Sequence, residues 1–120
     1  VELGGEAVEC ARLNAPGVEI LRGKCADRVP QLRGWAQQTT ATRLLYVNPP
    51  RTGLEPEVLA WAINEFRPER LAYLSCSAGT LSRDLSGFIG AGYTVDALHP
   101  YDFFPQTHHV ETLALLRKTL

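Results

Sequence analysis

Two four-residue runs without a charged side chain, Leu44-Leu45-Tyr46-Val47 and Leu71-Ala72-Tyr73-Leu74, flank a segment of helical periodicity. Between them, Glu55 to Phe66 places Val58, Leu59, Ala62, Ile63 and Phe66 on one stripe, with Pro56 in a first turn and Pro68 beyond the end. An unbroken apolar run predicts a strand buried on both faces. Two such strands joined by a helix predict a parallel pair, because parallel strands need a long crossover and a helix supplies one.

The rest of the chain repeats this alternation. Val1-Glu2-Leu3 reads as the end of a strand running into a helix, Gly4 to Leu13, with Ala7, Val8 and Ala11 on one face. Val18-Glu19-Ile20-Leu21 reads as a short strand. Asp27 reads as the N-cap of a helix carrying Val29, Leu32 and Ala36, with Pro30 tolerated in its first turn. Gln37 to Thr42 is polar and loop-like, and the two prolines of Asn48-Pro49-Pro50-Arg51-Thr52-Gly53 stop any ladder there. After a turn at Ser75 to Gly79, a helix starting near Thr80 carries Leu81, Leu85, Phe88 and Ile89, with Gly92 as its C′ residue. Tyr93 to Leu98 alternates as a strand, His99 to Thr107 reads as a loop, and Val110 to Leu116 as a last strand. No helix separates these two strands, which favours an antiparallel pair at the sheet edge. The expected class is α/β, a mostly parallel sheet covered by helices on both faces.

At 120 residues there is length for one small domain and one core. Twelve Lys and Arg against thirteen Asp and Glu exclude a charge-driven nucleic-acid clamp as the main feature, though not RNA as a substrate. No apolar run reaches the ~20 residues of a membrane span. Three irregularly spaced cysteines argue against a disulfide framework and for a reducing, cytoplasmic setting. The three histidines and three cysteines show no metal-ligand spacing, and no phosphate-cradling glycine loop is present. The chain does not open on methionine, and it reads as a fragment whose upstream neighbour is missing.

Ligands of such sheets sit beyond the carboxyl ends of the strands. Those ends carry Glu2, Lys24-Cys25, Asn48-Pro49-Pro50-Arg51 and Ser75-Cys76. Cys76 lies between a buried strand and a helix N-terminus, whose unpaired N–H groups favour a thiolate; the alternative is a small core residue, as Cys10 is read. Glu111 opens an otherwise apolar strand, either as an exposed end or as a base aimed into the same crevice. His109, two residues earlier, would share its face, so a Cys76–His109–Glu111 hydrolase constellation is a further possibility. Glu2 is placed to accept ribose hydroxyls, or is a solvated first-turn acid. Asn48 offers an amide donor and acceptor, or only a turn.

These parts match a family. Asn48-Pro49-Pro50-Arg51-Thr52-Gly53-Leu54, Tyr73-Leu74-Ser75-Cys76 with Thr80-Leu81-Ser82-Arg83-Asp84-Leu85, and Asp102-Phe103-Phe104-Pro105-Gln106-Thr107-His108-His109-Val110-Glu111 resemble the RNA uracil-5-methyltransferases. Val1-Glu2 with Glu6-Ala7-Val8-Glu9 and Asn14-Ala15 is similar to a second, less specific cofactor motif. The resemblance spans essentially all of residues 1–120, as the carboxyl-terminal portion of the catalytic domain of a longer enzyme. It implies a Rossmann-like, S-adenosylmethionine-dependent methyltransferase fold, mostly parallel with an antiparallel final strand and lacking its first βα unit. It also implies a tRNA or ribosomal RNA substrate, Cys76 as nucleophile, Glu111 as general base, and Glu2, Lys24 and Asn48 at the cofactor. An isolated fragment of this kind is expected to be inactive and to bind the cofactor weakly. Two departures stand out: Asn48 replaces the family's Asp, and Ser77-Ala78 replaces Asn-Pro after the nucleophile. An amino-group methyltransferase using Asn48-Pro49-Pro50 and a non-catalytic homologue that binds RNA or a partner are the alternatives.

Overall fold

The two apolar runs do pair in parallel. In a computed structural model that describes residues 1–120, β1 (Leu44–Val47) sets Leu45 opposite Leu71 and Val47 opposite Tyr73 of β2 (Arg70–Ser75). β3 (Tyr93–Tyr101) and β4 (Glu111–Lys118) complete a four-stranded sheet in the order β1-β2-β4-β3. β4 runs antiparallel to both neighbours, so β1, β2 and β3 share one direction. The helix-free pair lies at the sheet edge as expected, with β3 outermost. That position explains why β3 continues through Pro100 to Tyr101, where a loop was predicted: an edge strand tolerates a missing N–H. β4 starts at Glu111, one residue later than expected, and ends at Lys118, two residues beyond the expected end.

The chain divides into two compact units, Val1–Thr39 and Thr40–Leu120. The first holds α1 (Gly5–Asn14) and α2 (Cys25–Ala36). Lys24, not Asp27, is the N-cap of α2, and Asp27 sits in the first turn, where an acid suits the helix dipole. The expected strand Val18–Leu21 does not form. One parallel bridge joins Glu2 to Arg22, through Glu2 N–H to Leu21 C=O at 3.0 Å and Gly23 N–H to Glu2 C=O at 2.9 Å. With Val18 and Glu19 exposed and Ile20 and Leu21 half-buried, that segment offers no second apolar face to hold a longer ladder.

In the second unit the Glu55–Phe66 stripe begins as α3 (Pro56–Trp61) and finishes as a π-helical turn, Ala62–Phe66. The turn ends on Arg67, a left-handed residue (φ 51°) ahead of Pro68, whose guanidinium donates to the carbonyls of Ile63, Ala91 and Leu120 and lies over the Tyr93 ring. These bonds offset the cost of the left-handed backbone. α4 spans Ala78–Gly90, two residues earlier than predicted, and Gly92 (φ 96°) closes it as C′. The core contains Leu71, Tyr73, Ala114 and Leu116 from the sheet and Val58, Trp61, Phe66, Leu81, Leu85 and Phe88 from the helices. The double-sided burial expected of Leu44–Val47 is not found within this chain: Leu44 is 64% and Tyr46 61% exposed. Apolarity records that a face wants cover but not what covers it. No helix is long and apolar enough to cross a membrane.

Candidate active site

Three chain segments meet where β1 and β2 end and β4 begins. Register brings the last two together: Ser75 pairs with Thr112 across β2–β4, so Cys76 and Glu111, each one residue beyond that pair, emerge side by side. Both are half-buried. With Arg51, Phe104, His109 and Val110 they line one cleft of about 280 Å³. That is just under the roughly 300–1,000 Å³ of ordinary ligand pockets and suits a single planar ring.

Cys76 is held by its neighbours. The buried Ser75 hydroxyl donates to Ser77 C=O at 2.8 Å and accepts Ser77 N–H at 3.0 Å, closing a tight turn over the cysteine. Ser77 is the N-cap of α4, so Cys76 sits one residue outside the helix. The helix then reaches across to the Asn48–Leu54 loop through one face. The Thr80 hydroxyl donates to Arg51 C=O (2.9 Å), Arg83 to Thr52 C=O (2.8 Å), and Asp84 Oδ2 accepts the Leu54 N–H (2.8 Å). Gly53 completes the loop at φ 79°, with its N–H on Pro50 C=O, where a Cβ would lie 2.7 Å from Asp84 Oδ2. Arg51 is therefore carried to the cleft by a loop bolted to the same helix that follows Cys76.

Asp84 anchors this network. It is fully buried, takes the Tyr73 hydroxyl on Oδ2 at 2.6 Å, and pairs through Oδ1 with Arg83 at 3.0 Å. Burial, then the Asp84 hydrogen bond and charge, push the Tyr73 phenol far above its ordinary value. The sequence held the signal: positions 81, 84, 85 and 88 form one helical stripe, and a carboxylate on a core stripe needs partners.

Arg51 Nη2 lies 3.1 Å from His109 Nδ1. A guanidinium only donates, so the contact requires Nδ1 to accept and places the ring proton on Nε2. The strand face expected to be shared by His109 and Glu111 is not found: His109 precedes β4, and its Nδ1 faces Arg51. Arg51 and Phe104 also line the cleft, and no local pattern in the sequence marks either for a role there.

Three further residues were predicted at the cofactor: Asn48, Glu2 and Lys24. Asn48 is exposed at the end of β1. Glu2 and Lys24 belong to the Val1–Thr39 unit. Glu2 is exposed at its bridge, with Oε1 on the Gly4 N–H at 2.9 Å, one of roughly four acceptor sites a carboxylate offers. Lys24 is exposed and caps α2 by backbone position alone. The three cysteines form no disulfide, and no group of three or more His, Cys, Asp or Glu is placed to hold a metal.

Comparison with known proteins bears on this arrangement. The fold is shared with the M1.HpyAVI–SAM complex, at a TM-score of 0.60 over 84% of this chain and 53% of that one, with 14% identity. An uncharacterized RNA methyltransferase of Lactobacillus johnsonii is 40% identical over 118 residues, which are 94% of this chain and 25% of that protein. The 23S rRNA (uracil(747)-C(5))-methyltransferase RlmC of a Shewanella species is 38% identical over 120 residues, 98% of this chain and 30% of that one. The chain thus spans about a quarter to a third of the length of the curated relatives it matches. The model of the tRNA (uracil-5-)-methyltransferases matches residues 8–119, taking in the loop, the cysteine turn and the start of β4 that together form the cleft, and the chain belongs to that family.

Proposed function

We propose that this chain is the carboxyl-terminal portion of the catalytic domain of an enzyme that transfers a methyl group from S-adenosylmethionine to carbon-5 of a uridine in RNA. The observation that carries the reading is the meeting of one thiol and one carboxylate, Cys76 and Glu111, in one cleft. Carbon-5 of uracil is a poor nucleophile. The Cys76 thiolate adds to carbon-6, forming the S–C6 bond and moving the C5–C6 π pair into an enolate, which makes carbon-5 nucleophilic. S-adenosylmethionine, when bound, supplies the electrophilic methyl group on its sulfonium. Glu111 then removes the carbon-5 proton, the C5–C6 double bond re-forms, and the thiolate leaves. Arg51 and His109 Nε2–H are donors for the uracil carbonyls or the adjoining phosphate.

The cofactor fits part of the residue set. Glu2 has the acceptor capacity for ribose hydroxyls, and Asn48 has an amide donor and acceptor for a polar edge. Lys24 presents a cation with no matching charge on an adenosine.

The test uses the full-length protein and RNA carrying 5-fluorouridine at the target, which blocks proton removal and traps the adduct. A denaturing gel and peptide mass spectrometry should place the crosslink on Cys76, and Cys76→Ala should abolish both adduct and methyl transfer. Glu111→Gln should still form the adduct on ordinary RNA and fail to release it. A crosslink at Cys10 or Cys25, or turnover by Cys76→Ala, overturns the mechanism.

A further inference from the structure

Strand register and chain order set beside the cleft an aromatic pair that the methyl-transfer chemistry does not use. Tyr101, the last residue of β3, pairs in register with Glu111, the cleft's carboxylate. Its ring and that of Phe103 are stacked, 5.5 Å between centroids and 3° from parallel, although Tyr101 is 40% and Phe103 60% exposed. Phe104, the next residue, lines the cleft and meets the His109 ring edge-on at 6.2 Å. The intervening turn is tied: the Thr107 hydroxyl donates to Phe104 C=O at 2.6 Å and accepts the His109 N–H at 3.2 Å. A contiguous exposed aromatic patch beside a site marks a binding surface.

From this geometry we propose that Tyr101 and Phe103 form a stacking platform for an unpaired RNA base adjoining the target uridine, an inference that rests on the RNA reading above. Parallel rings with an open π face extend naturally by one more flat ring, and base–aromatic stacking is how proteins hold single-stranded nucleotides. Asp102 lies between the two rings in sequence, and its carboxylate disfavours a phosphate there. The platform therefore takes the base, while the backbone passes the Arg51 side of the cleft. Continuity with the cleft fixes the occupant: a base one nucleotide from a ring held at Cys76 is the planar group within reach.

The probe is a seven-nucleotide single-stranded RNA with a central 5-fluorouridine, carrying 2-aminopurine or an abasic site next to it, tested on the full-length protein. Wild type should quench the 2-aminopurine on binding, before any chemistry. Phe103→Ala should relieve the quenching and raise KM for adduct formation roughly 5- to 150-fold, the scale of one lost stack, with kcat little changed and no change in salt dependence. Phe103→Trp should restore both, and Phe103→Leu, which keeps bulk without a π face, should not. The abasic probe should lose the same factor on wild type and nothing further on Phe103→Ala. Quenching without an adduct would retain the platform and remove the covalent mechanism. An unquenched probe on wild type, additive losses in the abasic cycle, or full rescue by Phe103→Leu overturns the platform.

Discussion

Replacing Asp84 separates what the buried carboxylate does as a shape from what it does as a charge. Oδ2 accepts two hydrogen bonds, from Leu54 N–H at 2.8 Å and Tyr73 O–H at 2.6 Å, while Oδ1 faces Arg83. Asp84→Ala strands both buried donors, at about 1–3 kcal/mol each, and leaves space where the carboxyl was; the loss should total about 3–5 kcal/mol. Asp84→Asn keeps an oxygen where Oδ2 stood and turns its amide toward Arg83, which is half exposed and can swing into water. It should lose only the charge assistance and a surface-grade ion pair, about 1 kcal/mol. Domains of this size hold about 5–15 kcal/mol in all, so the alanine variant gives up roughly a fifth or more and the amide variant little. Urea unfolding followed by the fluorescence of Trp61, which is buried and stacked on Phe66 at 4.7 Å, reads the difference. With a slope of about 1–3 kcal/mol per molar, the alanine midpoint should fall by roughly 2 M and the amide midpoint by about 0.5 M. Equal losses in the two variants, or a loss below about 1 kcal/mol for alanine, would refute the account of two donors on one oxygen.

Two further outcomes follow from the same network. Gly53→Ala puts a Cβ against Arg83 and Asp84 at a left-handed φ, so it should displace the Arg51 loop and cost about 1–3 kcal/mol, with loss of adduct formation in the full-length protein exceeding what its reduced stability explains; the gel assay against the unfolding curve decides this. Tyr73 and Tyr93 are both raised, chiefly by burial, so the folded protein keeps phenol protons that the unfolded chain loses near pH 10. Their contribution to stability should be fully present below that pH and fall as pH rises above it, a decline that urea midpoints from pH 8 to 11 would record and that Tyr73→Phe should lessen.

What sequence reasoning reached depended on whether a local pattern had one physical meaning. Leu81, Leu85 and Phe88 as a buried stripe, Gly92 as a left-handed stop and the antiparallel last pair each follow from periodicity, backbone freedom or connection length, and each is found, whereas Ile89, expected on the same face, is exposed. The same logic failed where the deciding partner lies outside the segment. Leu44–Val47 shows its demand for cover but not the cover itself, and Val18–Leu21 has strand-like residues with one bridge to pair with. β3 passes its expected end at Leu98 and runs through Pro100 to Tyr101, because the outermost strand of the last pair tolerates a missing N–H. At the site, Cys76 and Glu111 stood out singly, whereas their adjacency is a matter of register between β2 and β4, which are far apart in the chain. Asp84 could have been found from its place on a core stripe; the Arg51–His109 contact has no local signal at all.

The two departures from the family pattern after Cys76 fall on positions whose physics limits their reach. Ser77 is the N-cap and Ala78 the first residue of α4. Proline at that first position stiffens a helix entrance by presetting φ, and asparagine at the cap offers its side chain to the first free N–H groups. Serine belongs to the same set of capping residues, although here its side chain makes no capping bond, and alanine is the strongest helix former. The exchange therefore changes how the first turn is stiffened. It leaves the turn that carries the thiol, because that turn is tied from the other side: Ser75 brackets Cys76 by bonding both backbone groups of Ser77, and Thr80 divides its hydroxyl between Ser77 C=O and Arg51 C=O. Cysteine turn and arginine loop are thus cross-linked by Thr80 within one helical turn of the departures. The constraint that chemistry needs, a fixed distance between the thiol and the groups facing it, resides in those hydrogen bonds and in the β2–β4 register, neither of which runs through the side chains of Ser77 or Ala78.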